Sequence, residues 1–148
     1  LVSGDPKTQD ARTNFQLLSD LPVPIITMDE TEEDALEQGD MPDVLVDAMF
    51  GTGFHGVMRG NALKAAEYIN NCHEKHGKKV FALDIPSGLG GDQLKKKKIS
   101  CEIIKADYTI TFHARKPVHM RRFAACYCGE ILVADIGIDE EKLMTVEI

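Results

Sequence analysis

The 148-residue sequence has no tryptophan, only 4 cysteines, and no apolar run long enough to cross a bilayer as a helix. Cys72, Cys101, Cys126 and Cys128 show neither a Cys-x-x-Cys pair nor zinc-finger spacing, so neither a disulfide framework nor a structural zinc site is expected. They read as reduced thiols of a cytosol-like, cytoplasmic compartment, with an organelle such as the mitochondrion left open. Cys126-Tyr127-Cys128 is expected to place both thiols on one face of a strand. Basic residues are outnumbered 17 to 24, for a net charge of -7, so nothing directs the chain to nucleic-acid phosphates or an anionic membrane. A bound phosphate would have to be held locally. The sequence also lacks Gly-x-x-x-x-Gly-Lys-Ser/Thr, which removes the main support for Mg-nucleotide hydrolysis, and it lacks the Gly-x-Ser-x-Gly elbow of hydrolases. No Met opens the chain, and "LVSGDPK" reads as the start of a fragment or a processed product. His113 and His119 lack companions for a metal site and read as ordinary surface or edge residues.

With 43% of its residues hydrophobic, the chain can bury one substantial core, and one domain over 1–148 is expected. Asp5 as a cap, Pro6 at the first helical position, and Ala11, Phe15 and Leu18 at helical spacing predict a helix over about 7–18. "VPIITM" predicts a strand, and "TEEDALEQG" a short acidic helix with Thr31 and Asp34 as a capping box and Gly39 as its stop. "DVLVDAMF", "KKVFAL", "ADYTITFHA" and "EILVADIGI" predict further strands. "NALKAAEYINNCHEKHG" predicts a helix, with Asn61 near its cap and Gly77 after its last turn. "GLGGDQLKKKKIS" reads as a loop, in which Lys95 to Lys98 are solvated rather than a nuclear-targeting patch. Strands separated by helices, then by shorter connections, predict an α/β, doubly wound, mostly parallel sheet ending in less regular strand additions.

In such a sheet ligands bind beyond the carboxyl ends of the strands, and the unusual residues of this sequence fall there. "DAMFGTGFHG" leaves Asp47 in an apolar strand, followed by glycines at 51, 53 and 56. A loop of this kind either cradles an anion with its backbone N–H groups or makes a tight turn with no ligand. "DIPSG" puts Asp84 at the end of the apolar run "KVFAL", where a carboxylate in low dielectric is poised for acid/base work, or else only caps a turn. Pro86 and Gly88 fix that turn and Ser87 offers a hydroxyl. "TITFHARKP" presents Lys116, which can meet anionic oxygens or pair with an aspartate, or be simply solvated.

Taken in order, "DVLVDAMFGTGFHG", "VFALDIPSGL", "ADYTITFHARKPVH" and "YCGEILVADIGI" resemble the YjeF N-terminal domain family, the NAD(P)H-hydrate epimerases, and "DARTNFQLL" with "VPI" extends the likeness toward residue 1. The resemblance implies a Rossmann-like fold and an isomerase that interconverts the R and S forms of hydrated NADH and NADPH. A dehydratase, separate or fused downstream, would then repair them, and a homodimer is implied as well. By position, Asp47 and Ser87 match the ligands of a potassium ion. Gly51, Thr52, Gly53, Phe54, His55, Gly56 and Val57 match the segment against the substrate phosphates. Asp84 matches a substrate-binding and catalytic residue, and Lys116 a supporting catalytic one. The alternative is a catalytically inactive module of this type, used as a dimerisation or binding scaffold. The family's Gly-Asn-Asn-Gly-Gly-Asp-Gly loop is expected before residue 1, so the chain resembles a domain missing its N-terminal portion. Gln93-Leu94 stand where the family usually has Thr-Gly, and Val118 replaces a common glycine, while His119 and Cys128-Gly129 keep the pattern.

Overall fold

The computed structural model describes residues 6, 8–26, 28, 41–51, 53–94 and 102–139. Four short apolar segments in this range become strands: β1 (Val44–Asp47), β2 (Lys79–Leu83), β3 (Tyr108–Phe112) and β4 (Glu130–Ala134). They form one sheet in the order β1-β2-β3-β4, each neighbour parallel. The register sets Asp47, Ala82, Thr109 and Ile131 side by side across it. With Leu45 and Val80, that row belongs to the face that is packed against helices.

Helix α1 spans Gln9–Ser19 and helix α2 spans Asn61–His76. The stripe of α2 is small: Ala62, Ala66, Ile69 and Cys72 join Leu45, Val80 and Ala82 in one buried cluster, and the alanines let helix and sheet approach closely. Gly77, at φ 64°, ends α2 by placing its N–H on the His73 carbonyl, while Lys78 N–H meets the Cys72 carbonyl. The one polar residue of the buried stripe, Asn70, is fully used. Its amide donates to Glu102 Oε1 (2.6 Å) and the Ile103 carbonyl (2.8 Å), and its oxygen accepts from Lys105 N–H (2.9 Å). A second cluster, Ile85, Leu89, Ile103, Val118, Ala124 and Cys128, covers the sheet beside β4. It is built from the loop after β2 and from the β3–β4 connection, which runs through two short 3-10 helices and α3 (Ala125–Cys128).

Several local expectations change. The start of α1 is capped by Thr8, whose Oγ1 accepts from Ala11 N–H, so Pro6 precedes the helix rather than opening it. Residues 23–26 form no strand, because a strand takes its hydrogen bonds from a neighbour and the sheet does not take up this segment. Cys126 and Cys128 lie on a helical turn rather than a strand, ended by Gly129 at φ 57°. Burial pushes the Cys128 thiol up to about 11, which leaves it unreactive. Asp5, the acidic helix expected over 31–39, and Lys95 to Lys98 lie outside the described residues. The Rossmann-like α/β architecture holds, and all described strand pairs are parallel. The other sheet face carries Val46, Phe81, Tyr108, Ile110 and Leu132, with Phe81 and Tyr108 stacked at 5.0 Å. No helix among the described residues is long and apolar enough to cross a membrane.

Gly129 is where two backbones meet: a Cβ there would collide with the Asp107 carbonyl. Gly129→Ala should therefore destabilise the protein by about 3 kcal/mol or more, read as a lowered denaturant midpoint at unchanged m.

Candidate active site

Strands β2 and β3 end in the same uncommon way. Ile85 N–H bonds back to the Leu83 carbonyl (2.9 Å) across Asp84 at φ 68°, and Ala114 N–H bonds back to the Phe112 carbonyl (2.7 Å) across His113 at φ 65°. Both are γ-turns of the positive-φ kind, which are strained for residues other than glycine. The first turns the Asp84 side chain out of the strand direction while its N–H still bonds the Ile110 carbonyl of β3 (2.8 Å). The second reverses the chain so that Lys116 reaches back over the strand it has just left.

The two side chains meet. Lys116 Nζ lies 2.6 Å from Asp84 Oδ1, and it also donates to Thr111 Oγ1 (3.1 Å) and the Phe112 carbonyl (2.9 Å). Three acceptors occupy the three protons of the ammonium. Thr111, fully buried, donates to the same Asp84 Oδ1 (3.1 Å). One oxygen of Asp84 is thus held by a cation and a hydroxyl, and the wholly apolar setting expected from the sequence is replaced by an ion pair. The other oxygen, Oδ2, faces Gly51, where a Cβ would stand 3.7 Å away.

Asp47 sits deeper, 1% exposed, and is held by neutral donors: Ser87 N–H on Oδ2 (2.7 Å), Ser87 Oγ–H on Oδ1 (2.6 Å) and Met49 N–H on Oδ1 (3.3 Å). Ser87 Oγ accepts in turn from Phe50 N–H (3.2 Å). Burial raises the Asp47 pKa against the lowering effect of these hydrogen bonds, and among the described residues no cation is paired with it. Asp47 and Ser87 are therefore in direct contact, across 40 residues of sequence.

The glycine loop runs between these groups and a cleft. Phe54 N–H bonds the Gly51 carbonyl (3.1 Å), and Phe54 packs on Phe50 with centroids 4.8 Å apart, so its ring is part of the scaffold. Gly56, at φ 99°, occupies a backbone conformation open to glycine. The cleft, about 480 Å³, is lined by Phe54, His55, Gly56, Gly90, Asp92, Gln93 and Leu94. Neither carboxylate lines it; Asp84 Oδ2 faces Gly51 at the start of the loop, and Asp47 is held by Ser87. Gly53 and Val57 are exposed on the loop, and Thr52 lies outside the described residues. No group of three or more His, Cys, Asp or Glu able to hold a metal occurs among the described residues.

Two residues at the site escaped the sequence reading. Thr111 looked like one of the β-branched residues of a strand, and only the alternation of faces marks it as pointing inward. His119, expected at the surface or an edge, is 92% buried by its 8% exposure, since the 3-10 turn after Pro117 folds it under Lys116.

The family model described as YjeF-related protein N-terminus matches residues 1–118. The chain belongs to this family. Among YjeF-related proteins, the "Bifunctional NAD(P)H-hydrate repair enzyme Nnr" of Archaeoglobus fulgidus is 37% identical over 135 residues, 91% of this chain and 25% of its own length. The "NAD(P)H-hydrate epimerase" of Nitrosopumilus maritimus is 33% identical over 147 residues, 95% of this chain and 61% of its own. That of Rhodopirellula baltica is 34% identical over 112 residues, 74% of this chain and 43% of its own. The chain thus spans about a quarter of the bifunctional YjeF relative and about three fifths of the Nitrosopumilus one.

Thr111→Val keeps the shape and removes the hydroxyl that links Asp84 to Lys116. It should cost on the order of 1–2 kcal/mol of stability by urea unfolding, with the sheet's circular dichroism unchanged.

Proposed function

We propose that this chain interconverts the R and S forms of hydrated NADH and NADPH. The observation that carries this reading is the Asp84 carboxylate, fixed on Oδ1 by Lys116 and Thr111 and facing Gly51 of the glycine loop with Oδ2, which has no hydrogen-bond partner among the described residues. At the substrate carbon a hydroxyl stands beside a ring nitrogen, so inversion needs either loss and return of water or opening and reclosure of the ring. Both routes move a proton at that oxygen. Asp84 Oδ2 is the group that takes and returns it, and Lys116 holds the charge of the carboxylate as the proton comes and goes. The backbone of Gly51 to Val57 lies against the substrate phosphates, next to the 480 Å³ cleft that is large enough for part of a dinucleotide. The curated relatives named as epimerases and as bifunctional repair enzymes support the substrate class and a downstream dehydratase, fused or separate. A homodimer enters the same reading with no residue assigned to it.

Potassium fits the residues present. Asp47 is a buried carboxylate with no paired cation among the described residues, and Ser87 adds a hydroxyl oxygen, a hard donor set suited to a monovalent cation. When bound, the ion would supply positive charge next to the loop that holds the phosphates. Asp47 and Ser87 would hold it, and they orient the loop without it.

Asp84→Asn should abolish the acceleration of epimerisation in an acid-generated hydrate mixture, followed by chromatography, with the circular dichroism spectrum intact; an unchanged rate removes Asp84 from the mechanism. A second test uses the charge of Asp47. Its folded-state pKa is raised, so its contribution to stability is greatest below its ordinary value of 3.8 and is lost as pH rises through the folded value. Potassium should offset that loss. Thermal unfolding in potassium chloride against choline chloride should show a stabilisation that grows with pH, about 1.4 kcal/mol at a tenfold excess over Kd. Asp47→Asn should erase the difference; an equal potassium effect in the variant would move the ion elsewhere.

A further inference from the structure

His119 is almost wholly buried, and its two ring nitrogens are treated unequally. Nδ1 accepts from the backbone N–H of Lys116 (3.1 Å), and His119 N–H donates to the Lys116 carbonyl (3.0 Å), a reciprocal pair that closes the turn. A backbone N–H can only donate, so Nδ1 carries no proton and the neutral ring is protonated at Nε2. Nε2 is buried without a hydrogen-bond partner among the described residues. An orphaned buried donor costs free energy and calls for a reason. The groups around the ring act on its charge. Burial lowers the ring's pKa most strongly, Lys116 and Arg115 push the same way, and the carboxylate and backbone carbonyl of Asp84 pull against them. With no hydrogen bond at Nε2 among the described residues, the pull of Asp84 on the ring is electrostatic. The ring therefore lies within the field of Asp84, while burial and the neighbouring cations disfavour its charged form.

The turn itself is firmly seated. Pro117 keeps Lys116 extended (φ -76°, ψ 157°), Val118 is fully buried, and Val118 N–H bonds the Gly91 carbonyl (3.0 Å) of the loop after β2. His119 closes the remaining freedom at the point where the main chain launches the Lys116 side chain toward Asp84.

We infer that His119 is a positioning residue for the Asp84–Lys116 pair: through Nδ1 it fixes the backbone from which Lys116 reaches Asp84. As a role in turnover this rests on the epimerase reading above; as a tie within the site it does not.

The tests are His119→Ala, His119→Asn and His119→Gln in the intact protein. An Asn oxygen can take the place of Nδ1, whereas the Gln amide reaches past it toward Nε2. His119→Ala should lower kcat about 100-fold with KM changed less than about threefold, since misplacing a group by an ångström has that order of cost. His119→Asn should recover most of the loss and His119→Gln should not. Independently of activity, nitrogen chemical shifts of the ring should report Nε2–H, and hydrogen exchange of the Lys116 amide should accelerate in His119→Ala and His119→Gln but not in His119→Asn. Should His119→Ala not fold, the Asn and Gln variants carry the comparison. A Gln variant that matches or exceeds the Asn variant in kcat and in Lys116 protection overturns the inference, as does an unprotonated Nε2. Wild-type protein without epimerase activity, but with the expected tautomer and exchange pattern, would sink the epimerase reading and leave the tie intact.

Discussion

Ser87 gives both its N–H and its hydroxyl to the Asp47 carboxylate, and this junction between the loops after β1 and β2 fixes where the remaining groups stand. Asp84 lies three residues before Ser87, and Gly51 four residues after Asp47, so a carboxylate clamped at one point aligns Oδ2 of Asp84 with the glycine loop. Phe50 N–H on Ser87 Oγ extends the clamp to the next residue of that loop. A buried carboxylate is an expensive device for joining two loops, because burial disfavours its charge and each bond it accepts only partly offsets the loss. Its cost is understandable if the negative charge is itself used.

The γ-turns at the ends of β2 and β3 are a second expense. Non-glycine residues at positive φ cost on the order of 1–3 kcal/mol each. Asp84 and His113 adopt that conformation in adjacent strands, and each turn is stitched to its neighbour: Asp84 N–H to β3, His113 N–H to β4. The parallel sheet supplies those carbonyls as a continuation of its ladder. The strain at the two turns is what brings a carboxylate and an ammonium, 32 positions apart in sequence, to 2.6 Å.

Charge is distributed unevenly over the site. Asp84 has its counter-charge in Lys116, and a neutral histidine backs that lysine. Asp47 has only neutral donors among the described residues. The two carboxylates therefore have different surroundings among the described residues despite their common place at strand ends: one is paired with a cation, the other is buried among neutral donors. The proton-transfer and cation-ligand roles proposed for them call for such different surroundings.

The sequence by itself determined the strands β1 to β4, helix α2 with its Gly77 stop, the parallel α/β class, and the three loops that carry Asp47, Asp84 and Lys116, because apolar runs, helical spacing and glycine preferences are local signals. Local signals misplaced the cap of α1, read the Cys126–Cys128 turn as strand, and assigned a strand to residues 23–26, since each of those outcomes depends on a partner that the local pattern does not contain. The same limit applies at the site. That Ser87 bonds Asp47, that Thr111 points inward onto Asp84, that Lys116 is paired rather than solvated, and that His119 is buried beneath it were decided only by tertiary structure, because each is a contact across strands or loops whose geometry comes from the sheet register and two strained turns.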